Sequence, residues 1–234
     1  LIRSKKKPYI NINKKPMFIE LNNNLSNIKN FTLLVSGDNE DRIEITNNNI
    51  KNYCYVGNTK NTFETIFNYL FKSKKINKPV FITPCDAKID IDEKNFMDFL
   101  KKNSDYSVVV IVYKGYPLAK YFPNEYGWVS SENNKLIEVG IKKNFSDNNY
   151  DYSSIITGHF LFKDSDIFLN HEKAFKSFIN KRKIEGSIDI FITYLLKINY
   201  NILIYEADNF YSLGTYNELR LYDYWKNANK IKKI

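Results

Sequence analysis

Apolar residues recur along this chain with two spacings, one typical of buried strands and the other of amphipathic helices. Near-continuous apolar runs, each typical of a buried parallel strand, occur at 31–35, 80–83 and 106–113. A shorter run predicts a strand at 53–56, and helical spacing predicts helices over 62–73 and 93–103. This alternation of strands and helices favours an α/β fold.

The second half of the chain continues the mixture. It predicts strands at 127–129, 136–139, 154–162 and 200–206, helices at 168–179, 188–196 and 217–230, and a polar loop at 147–151. Neither an internal repeat nor a linker rich in Pro, Gly or Ser divides the sequence. We therefore expect one α/β domain over 1–234, Rossmann-like, with a mixed but mostly parallel central sheet flanked by helices.

Composition narrows the class of partner. The 234 residues are 43% hydrophobic and carry a net charge of +9, which suits a phosphorylated ligand, an anionic membrane surface or nucleic acid. The lysines are spread out and no compact basic block alternates with aromatics, so we do not expect nucleic-acid binding.

No apolar run reaches 18 residues, so no membrane span is predicted. Cys54 and Cys85 lie in strand-like segments, which suits buried, reduced thiols in a cytoplasmic protein.

The end of the run at 80–83 is the most informative position. Thr83, Pro84 and Cys85 follow the apolar residues, and the carboxylate of Asp86 comes next. Open α/β sheets hold ligands at the carboxyl ends of their strands, and a carboxylate there can anchor a divalent cation that holds phosphates. The alternative is a strand followed by an Asp that caps the next turn.

Several motifs follow one another in a fixed order. They are Lys7-Pro8 with Lys15-Pro16-Met17, Thr59 to Thr65, Cys85-Asp86, Tyr126-Gly127-Trp128, Val139-Gly140-Ile141-Lys142, Thr157-Gly158-His159, and Leu213-Gly214-Thr215 to Leu219. This order resembles the nucleotidylyltransferase family, the sugar-1-phosphate and phosphocholine-type pyrophosphorylases with a glycosyltransferase-A-like fold. The closing motif is most similar to members from capsule and surface-polysaccharide loci. The resemblance implies a nucleotide-binding half (1–115) and an acceptor-binding half (116–234).

The resemblance also implies roles for individual residues. The catalytic residues would be Lys7, Asp86 and Lys142, with Lys142 holding the acceptor phosphate. The nucleotide would be bound by Arg3, Thr59, Asn61, Thr62, Thr65 and Cys85. The acceptor pocket would be lined by Gly127, Gly158 and Glu185. Mg²⁺ would be held by Asp86, with Asp208 as a candidate substitute for an Asp that many relatives carry where this chain has Ser212. Taken singly, Lys7 and Lys142 also fit surface lysines, Asn61 a helix N-cap and Glu185 a helix N-terminal residue.

The reaction implied is transfer of NMP from an NTP to a small phosphorylated acceptor, with release of pyrophosphate. CTP is the favoured donor, which would make CMP the transferred group. Phosphocholine, a phosphorylated amino acid such as phosphoglutamine and a sugar 1-phosphate all fit as acceptor. Mg²⁺ is the expected cofactor, the cytoplasm the expected location and capsule or surface-polysaccharide synthesis the expected role. The sequence leaves the oligomeric state open, a homo-oligomer included.

Two departures from the family pattern matter. A glycine-rich loop that wraps the triphosphate should precede Lys7, but 1–6 contain no glycine. We expect a flexible loop before Leu1, with Arg3 as its remnant, and further omitted residues between Leu34 and Tyr53. The second departure is Ser212, where many sugar-nucleotide relatives place a second metal-binding Asp, so the metal would rest on Asp86, phosphates and water. Asn61 also stands where relatives usually have Gly, and Asn tolerates the left-handed conformation better than most residues.

Two other classes of function stay open. A glycosyltransferase on a related fold would hold its metal through an Asp-x-Asp pair, which Asp90-Ile91-Asp92 offers a few residues after the strand. A non-catalytic regulator that binds a nucleotide is the third class.

Overall fold

The computed structural model describes residues 6–12, 15–21, 32–73, 77–141 and 154–231. The strands are β1 (Asn11–Ile12), β2 (Lys15–Pro16), β3 (Leu33–Val35), β4 (Tyr53–Tyr55), β5 (Val80–Ile82), β6 (Ala87–Asp90), β7 (Val108–Lys114), β8 (Gly127–Glu132), β9 (Lys135–Ile141), β10 (Ser154–Phe162), β11 (Ile202–Glu206) and β12 (Asn209–Ser212). The helices are α1 (Met17–Leu21), α2 (Asn39–Asn47), α3 (Thr62–Ser73), α4 (Glu93–Lys102), α5 (Pro117–Tyr121), α6 (Asp166–Arg182), α7 (Ile188–Lys197) and α8 (Tyr216–Ile231), with 3₁₀ turns at Lys7–Tyr9 and Pro123–Glu125.

A mixed six-stranded sheet forms the centre, in the order β5-β10-β7-β11-β9-β8, and β10 also pairs with β8. The expected α/β class and mixed sheet are confirmed, but the expected excess of parallel pairing is wrong for the described strands. Only β7 and β11 pair in parallel in this sheet. The strand at Val80–Ile82, expected to be buried and parallel, is antiparallel to β10 and only partly buried.

The sheet is buried because β7 carries apolar residues on both faces. Val108, Val110 and Val112 pack into a core with aromatic residues of α3, α6 and α7, whereas Val109 and Ile111 face a second core. That second core is lined by Phe96 and Phe99 of α4, a helix with no fully buried residue. The alternation of strand side chains therefore produces three layers, helices–sheet–helix.

A separate parallel pair, β3 and β4, flanks α3. The nine-residue helix α2 connects the two strands, and the Asp38 carboxylate caps it by accepting a hydrogen bond from the Asp41 N–H. The segment between Leu34 and Tyr53 thus forms a complete β-α-β unit. The short length of this segment does not call for omitted residues.

Two features of the fold create the site. Antiparallel β6 and β12 form a ribbon whose register places Ala87 opposite Ser212 and Asp90 opposite Asn209. The register of β10 against β7 shifts between Ile156 and Phe160, where Gly158 adopts a φ of +82°. A bulge of this kind bends a strand and redirects its side chains, here directly beside the segment that leads to Asp86.

The predicted helices at 62–73, 93–103, 168–179, 188–196 and 217–230 are confirmed, with α6 longer at both ends than expected. The predicted loop at 147–151 lies outside the described residues. In the part of the chain that the structure describes, no helix combines the length and apolar character needed to cross a bilayer.

Candidate active site

Lys7 and Asp86 meet although they are far apart in sequence. Asp86 follows β5 by four residues, and its carbonyl accepts a hydrogen bond from the Leu213 N–H at 2.8 Å. Lys7 begins the first 3₁₀ turn, and its Nζ forms an ion pair with Asp86 Oδ2. The two side chains keep 30% and 23% of their surface exposed. A charged pair that stays accessible can exchange its partners with an arriving phosphate and cation.

Gly214 leaves a small recess lined by oxygen atoms next to this pair. A Cβ built on Gly214 would lie 3.5 Å from Asp86 Oδ2 and 3.4 Å from both Glu218 Oε2 and Ser212 Oγ. The three oxygens therefore surround a space that only a glycine leaves open. Oxygen ligands suit Mg²⁺, which keeps several waters and needs only one or two carboxylates plus phosphates.

The sequence argument did not single out Glu218, although a capping box, Thr215-x-x-Glu218, marks it. Its Oε2 accepts from the Thr215 N–H at 2.7 Å, while its own N–H donates to Thr215 Oγ1 at 3.2 Å. Oε1 accepts from the hydroxyls of Tyr126 at 2.9 Å and Tyr116 at 3.2 Å. Burial and the neighbouring Glu218 carboxylate raise the pKa of both tyrosines, which keeps them protonated donors. Glu218 thus fixes the start of α8 against the recess.

The residues on either side of Lys7-Pro8 are anchored by buried Asp41. Asp41 Oδ1 accepts from Tyr9 OH at 2.7 Å and from Lys6 Nζ at 3.1 Å. Its Oδ2 accepts from Ser36 Oγ at 2.5 Å and from the Gly37 N–H at 2.7 Å. Desolvation alone would raise the pKa of Asp41, but the hydrogen bonds outweigh it and lower the pKa to about 2. Of the lysine run at 5–7, Lys6 is thus committed to this anchor, which leaves Lys7 directed at Asp86.

The predicted nucleotide-binding turn is well ordered by its own side chains. Thr59 Oγ1 and Thr65 Oγ1 lie 2.6 Å apart, and Asn61 Oδ1 accepts from the Glu64 N–H at 2.9 Å. Asn61 is therefore the N-cap of α3, which begins at Thr62. The expectation that Asn61 takes the left-handed conformation of a glycine is wrong, because its φ is not positive. The nearest residue with a positive φ is Gly57, which precedes the turn.

This turn contacts the segment of the predicted acceptor residue Glu185. The Phe63 N–H donates to Gly186 O at 3.1 Å, and a Cβ on Gly186 would lie 2.9 Å from Asn61. The Glu185 side chain itself is exposed. The contact between the turn and the segment around Glu185 is therefore made by backbone atoms and Asn61, not by the carboxylate that the sequence pointed to.

The predicted acceptor residues Gly158 and Gly127 have different surroundings. A Cβ on Gly158 would meet Pro84 Cγ at 3.1 Å, two residues before Asp86. Gly127 begins β8 and faces Ile156 and Asp189. Asp189 was not singled out by the sequence, because one acidic residue near a helix start is too common to mark a site.

Two further titratable groups border Asp86. His159 is buried, its Nδ1 lies 3.1 Å from Thr157 O, and desolvation lowers its pKa to about 4, so it is neutral at pH 7. Desolvation raises the pKa of the Cys85 thiol to about 12, so this predicted nucleotide-binding residue stays protonated. Cys85 and Cys54 are both free and only partly buried, rather than buried as expected.

Asp208 does not join Asp86. The register of the ribbon puts Asp208 just beyond the end at which Asn209 pairs with Asp90. Asp86 lies beyond the opposite end, and the four residues of strand between the two ends span about 13 Å. Asp208 Oδ2 instead accepts from the Asp92 N–H at 2.7 Å. The two carboxylates therefore do not share one ion. Arg3 and Lys142 lie outside the described residues.

The Asp-x-Asp pair of the glycosyltransferase alternative has structural roles. Asp90 pairs with Lys88 at 2.8 Å, and Asp92 caps α4 by accepting from the Asn95 N–H at 2.7 Å. Within the described ranges, no group of three or more His, Cys, Asp or Glu side chains could hold a metal by itself. Any cation at Asp86 would therefore need oxygens from its substrates.

Comparison with solved structures shows that the chain has the fold of nucleotide-sugar and CTP-dependent transferases. The inositol-1-phosphate CTP transferase from T. maritima matches with a TM-score of 0.67 at 15% identity, over 95% of this chain and 87% of that one. CMP:2-keto-3-deoxy-manno-octonic acid synthetase complexed with CTP matches with 0.66 at 10% identity, over 97% and 94%. The nucleoside-diphosphate-sugar pyrophosphorylase from Vibrio cholerae RC9 matches with 0.65 at 13% identity, over 93% and 91%. Neither a protein-family model nor a curated protein matches the sequence.

Proposed function

We propose that this protein is a nucleotidylyltransferase that transfers NMP from an NTP to a small phosphorylated acceptor and releases pyrophosphate. The observation that carries the proposal is the convergence of Lys7 and Asp86 beside the oxygen-lined recess at Gly214. The sequence resemblance points to both residues independently of their contact. The shared fold of a CTP transferase, a CTP-bound synthetase and a pyrophosphorylase supports the same reaction class.

The reaction places specific demands on this site. A phosphate oxygen of the acceptor attacks the α-phosphorus of the NTP, a new P–O bond forms, and the bond to the β-phosphate oxygen breaks. Negative charge builds up on the non-bridging oxygens, so cationic stabilisation and positioning provide the catalysis. Lys7 would neutralise charge at the α-phosphate and the attacking oxygen, and Lys142 would hold the acceptor phosphate.

Asp86 would hold Mg²⁺, helped by Ser212 Oγ and Glu218 Oε2 around the Gly214 recess. Bound there, the ion would neutralise the triphosphate and pyrophosphate charge. Lys7 pairs with one carboxylate oxygen of Asp86. As the substrate binds, Lys7 would turn toward the phosphate oxygens. Glu218 keeps Gly214 and α8 in place through its bonds to Thr215 and the two tyrosines.

The nucleotide would bind along the Thr59–Thr65 turn and the Cys85 backbone, with Arg3 toward the phosphates. CTP is the favoured nucleotide because two structural neighbours are a CTP transferase and a synthetase complexed with CTP. The acceptor would lie along Gly158 and Gly127. Synthesis of capsule or surface polysaccharide in the cytoplasm is the role we propose, supported by the resemblance of the Leu213 to Leu219 motif.

The test is pyrophosphate release from the protein, with four NTPs and a panel of acceptors. The panel contains phosphocholine, phosphoethanolamine, phosphoglutamine and sugar 1-phosphates. We expect release that needs Mg²⁺, one NTP and one acceptor together. Hydrolysis of a UDP- or GDP-sugar without pyrophosphate chemistry would instead identify a glycosyltransferase. Calorimetric binding of an NTP without any turnover would identify a regulator.

A further inference from the structure

The carboxylate of Asp41 joins two segments that are far apart in sequence, with one oxygen for each. Its Oδ1 accepts from the Tyr9 hydroxyl at 2.7 Å and from Lys6 Nζ at 3.1 Å. Its Oδ2 accepts from Ser36 Oγ at 2.5 Å and from the Gly37 N–H at 2.7 Å. Asp41 therefore ties the residues on both sides of Lys7-Pro8 to the segment that follows β3.

The hydrogen-bonding capacity of this carboxylate is used up inside the protein. The Asp41 side chain keeps only 4% of its surface exposed, and a carboxylate offers about four lone-pair sites. The four donors fill these sites. Asp41 thus has no oxygen left for a cation or for a hydroxyl group of a substrate, and any role in the proposed reaction must be an indirect one.

The start of α2 holds Lys6 at further points. The Lys6 N–H donates to Glu40 Oε1 at 2.7 Å. Lys6 Nζ donates to Ser36 Oγ at 3.0 Å and forms an ion pair with Asp38. Both the backbone and the side chain of the residue directly before Lys7 are therefore fixed to α2 and to the loop that leads into it.

The backbone of Lys7 is fixed by this arrangement, but its side chain is not drawn into it. The Tyr9 N–H donates to Lys6 O at 2.9 Å, which closes a 3₁₀ turn around Lys7 and Pro8. Among the described residues, the ion pair of Lys7 Nζ is with Asp86 and not with an acidic residue of α2. The anchor thus leaves the Lys7 ammonium group directed into the candidate active site.

We propose that Asp41 is a positioning residue, which through Lys6 and Tyr9 sets where the Lys7 ammonium group meets the α-phosphate. This inference rests on the proposed function and adds a residue outside the site on which its rate depends. Stabilisation of a transition state requires preorganised charge, and a displacement of about 1 Å can lower a rate by about 100-fold. The alternative is that Asp41 only stabilises the fold, in which case the effect of losing it does not depend on Lys7.

A double-mutant cycle separates these two roles. Asp41→Asn is made in the wild-type chain and in Lys7→Met, and pyrophosphate release is measured over a range of NTP and acceptor concentrations. In the wild-type chain we expect kcat to fall by about 10-fold and KM to change by less than about 2-fold, because the loss falls on the transition state. In Lys7→Met we expect no further loss, because the group that Asp41 positions is already gone.

Two further variants make the cycle specific. Tyr9→Phe removes one donor to Asp41 and keeps every charge, so it should lower kcat less than Asp41→Asn does, and only where Lys7 is present. Leu100→Ala, at a partly buried position of α4, is the matched control for lost stability and should leave kcat unchanged in both backgrounds. Circular dichroism checks that each variant is folded, and Tyr9→Phe decides the question if Asp41→Asn does not fold.

The outcomes separate this inference from the proposed function. An equal loss of kcat in both backgrounds, or no loss in the wild-type chain, overturns the positioning role while pyrophosphate release upholds the proposed function. If the wild type releases no pyrophosphate with any NTP and acceptor, the proposed function fails, and crystal structures of the wild type and Asp41→Asn decide instead. Displacement of Lys7 Nζ from Asp86 by about 1 Å or more in the variant supports the positioning role, and an unchanged position overturns it.

Discussion

Lys7 Nζ and Asp86 Oδ2 form an ion pair that joins the first 3₁₀ turn of the described chain to the end of the β5 segment. The pair is held from both sides. Asp41 anchors the residues next to Lys7, and the Leu213 N–H anchors the Asp86 backbone. A lysine fixed in this way has its charge at one place in advance, which in the proposed nucleotidyl transfer would reduce the reorganisation needed as the substrate reacts.

Asp86→Asn should lower kcat by about 100-fold or more, because it removes the charge that holds the cation. The variant keeps the size of the side chain, so the midpoint of urea unfolding should change little. Pyrophosphate release measures the first effect. Asp90→Asn is the control, since Asp90 pairs with Lys88 at the other end of the ribbon. A loss of pyrophosphate release in Asp90→Asn as large as that in Asp86→Asn would contradict the role given to Asp86.

Lys7→Met should also reduce kcat by about 100-fold, because the α-phosphate loses its cation. Combined with Asp86→Asn, the loss should be smaller than the product of the single losses, since paired residues in one site act together. Lys101→Met, at an exposed lysine on α4, should leave kcat unchanged. Independent, fully multiplicative effects would argue against a shared role for Lys7 and Asp86.

Asp41→Asn should lower the free energy of unfolding by about 2 kcal/mol at pH 7. The folded-state pKa of about 2 lies below the ordinary value of 3.8, so the ionised form is stabilised by folding. This contribution is complete above pH 4 and is lost as the pH falls toward 2. Urea unfolding at pH 7 and pH 3 should therefore show a larger difference between wild type and variant at pH 7. A difference that does not depend on pH would rule out this electrostatic origin.

Asp189→Asn should have the opposite effect on stability. Its folded-state pKa of about 6 lies above the ordinary 3.8, so the ionised carboxylate destabilises the fold as the pH rises from 4 through 6. After allowance for its partial exposure, we expect a gain of about 1–2 kcal/mol at pH 8 and almost none at pH 4. Thermal unfolding across this range measures the gain. A loss of stability at pH 8 would show that the carboxylate already has a partner.

Gly158→Ala should reduce both stability and activity. A positive φ costs a non-glycine residue about 1–2 kcal/mol, and the new Cβ would lie 3.1 Å from Pro84 Cγ and push on the segment that carries Asp86. Gly115→Ala is a matched control, because Gly115 has a φ of +71° but open space around it. Both variants should lose stability in urea, and only Gly158→Ala should raise the KM for the acceptor. Equal activity in the two variants would contradict this account.

The amino-acid sequence by itself determined the class of fold and pointed to the two central residues of the candidate site. Helical spacing located α3 at 62–73, and the apolar run at 106–113 located the buried strand β7, because both patterns depend on neighbours along the chain. The abrupt end of an apolar run pointed to Asp86, and the ordered motifs added Lys7.

Tertiary structure decided the direction of strand pairing and most partners of the site. The antiparallel pairing of β5 with β10 depends on how distant segments meet, which no local pattern encodes. The same holds for the exclusion of Asp208 by the ribbon register and for the carboxylates of Asp41, Glu218 and Asp189. Each of these side chains lies near a helix start, as many acidic residues do. Only contacts with distant residues make Asp41 an anchor and place Glu218 beside the Gly214 recess and Asp189 beside Gly127.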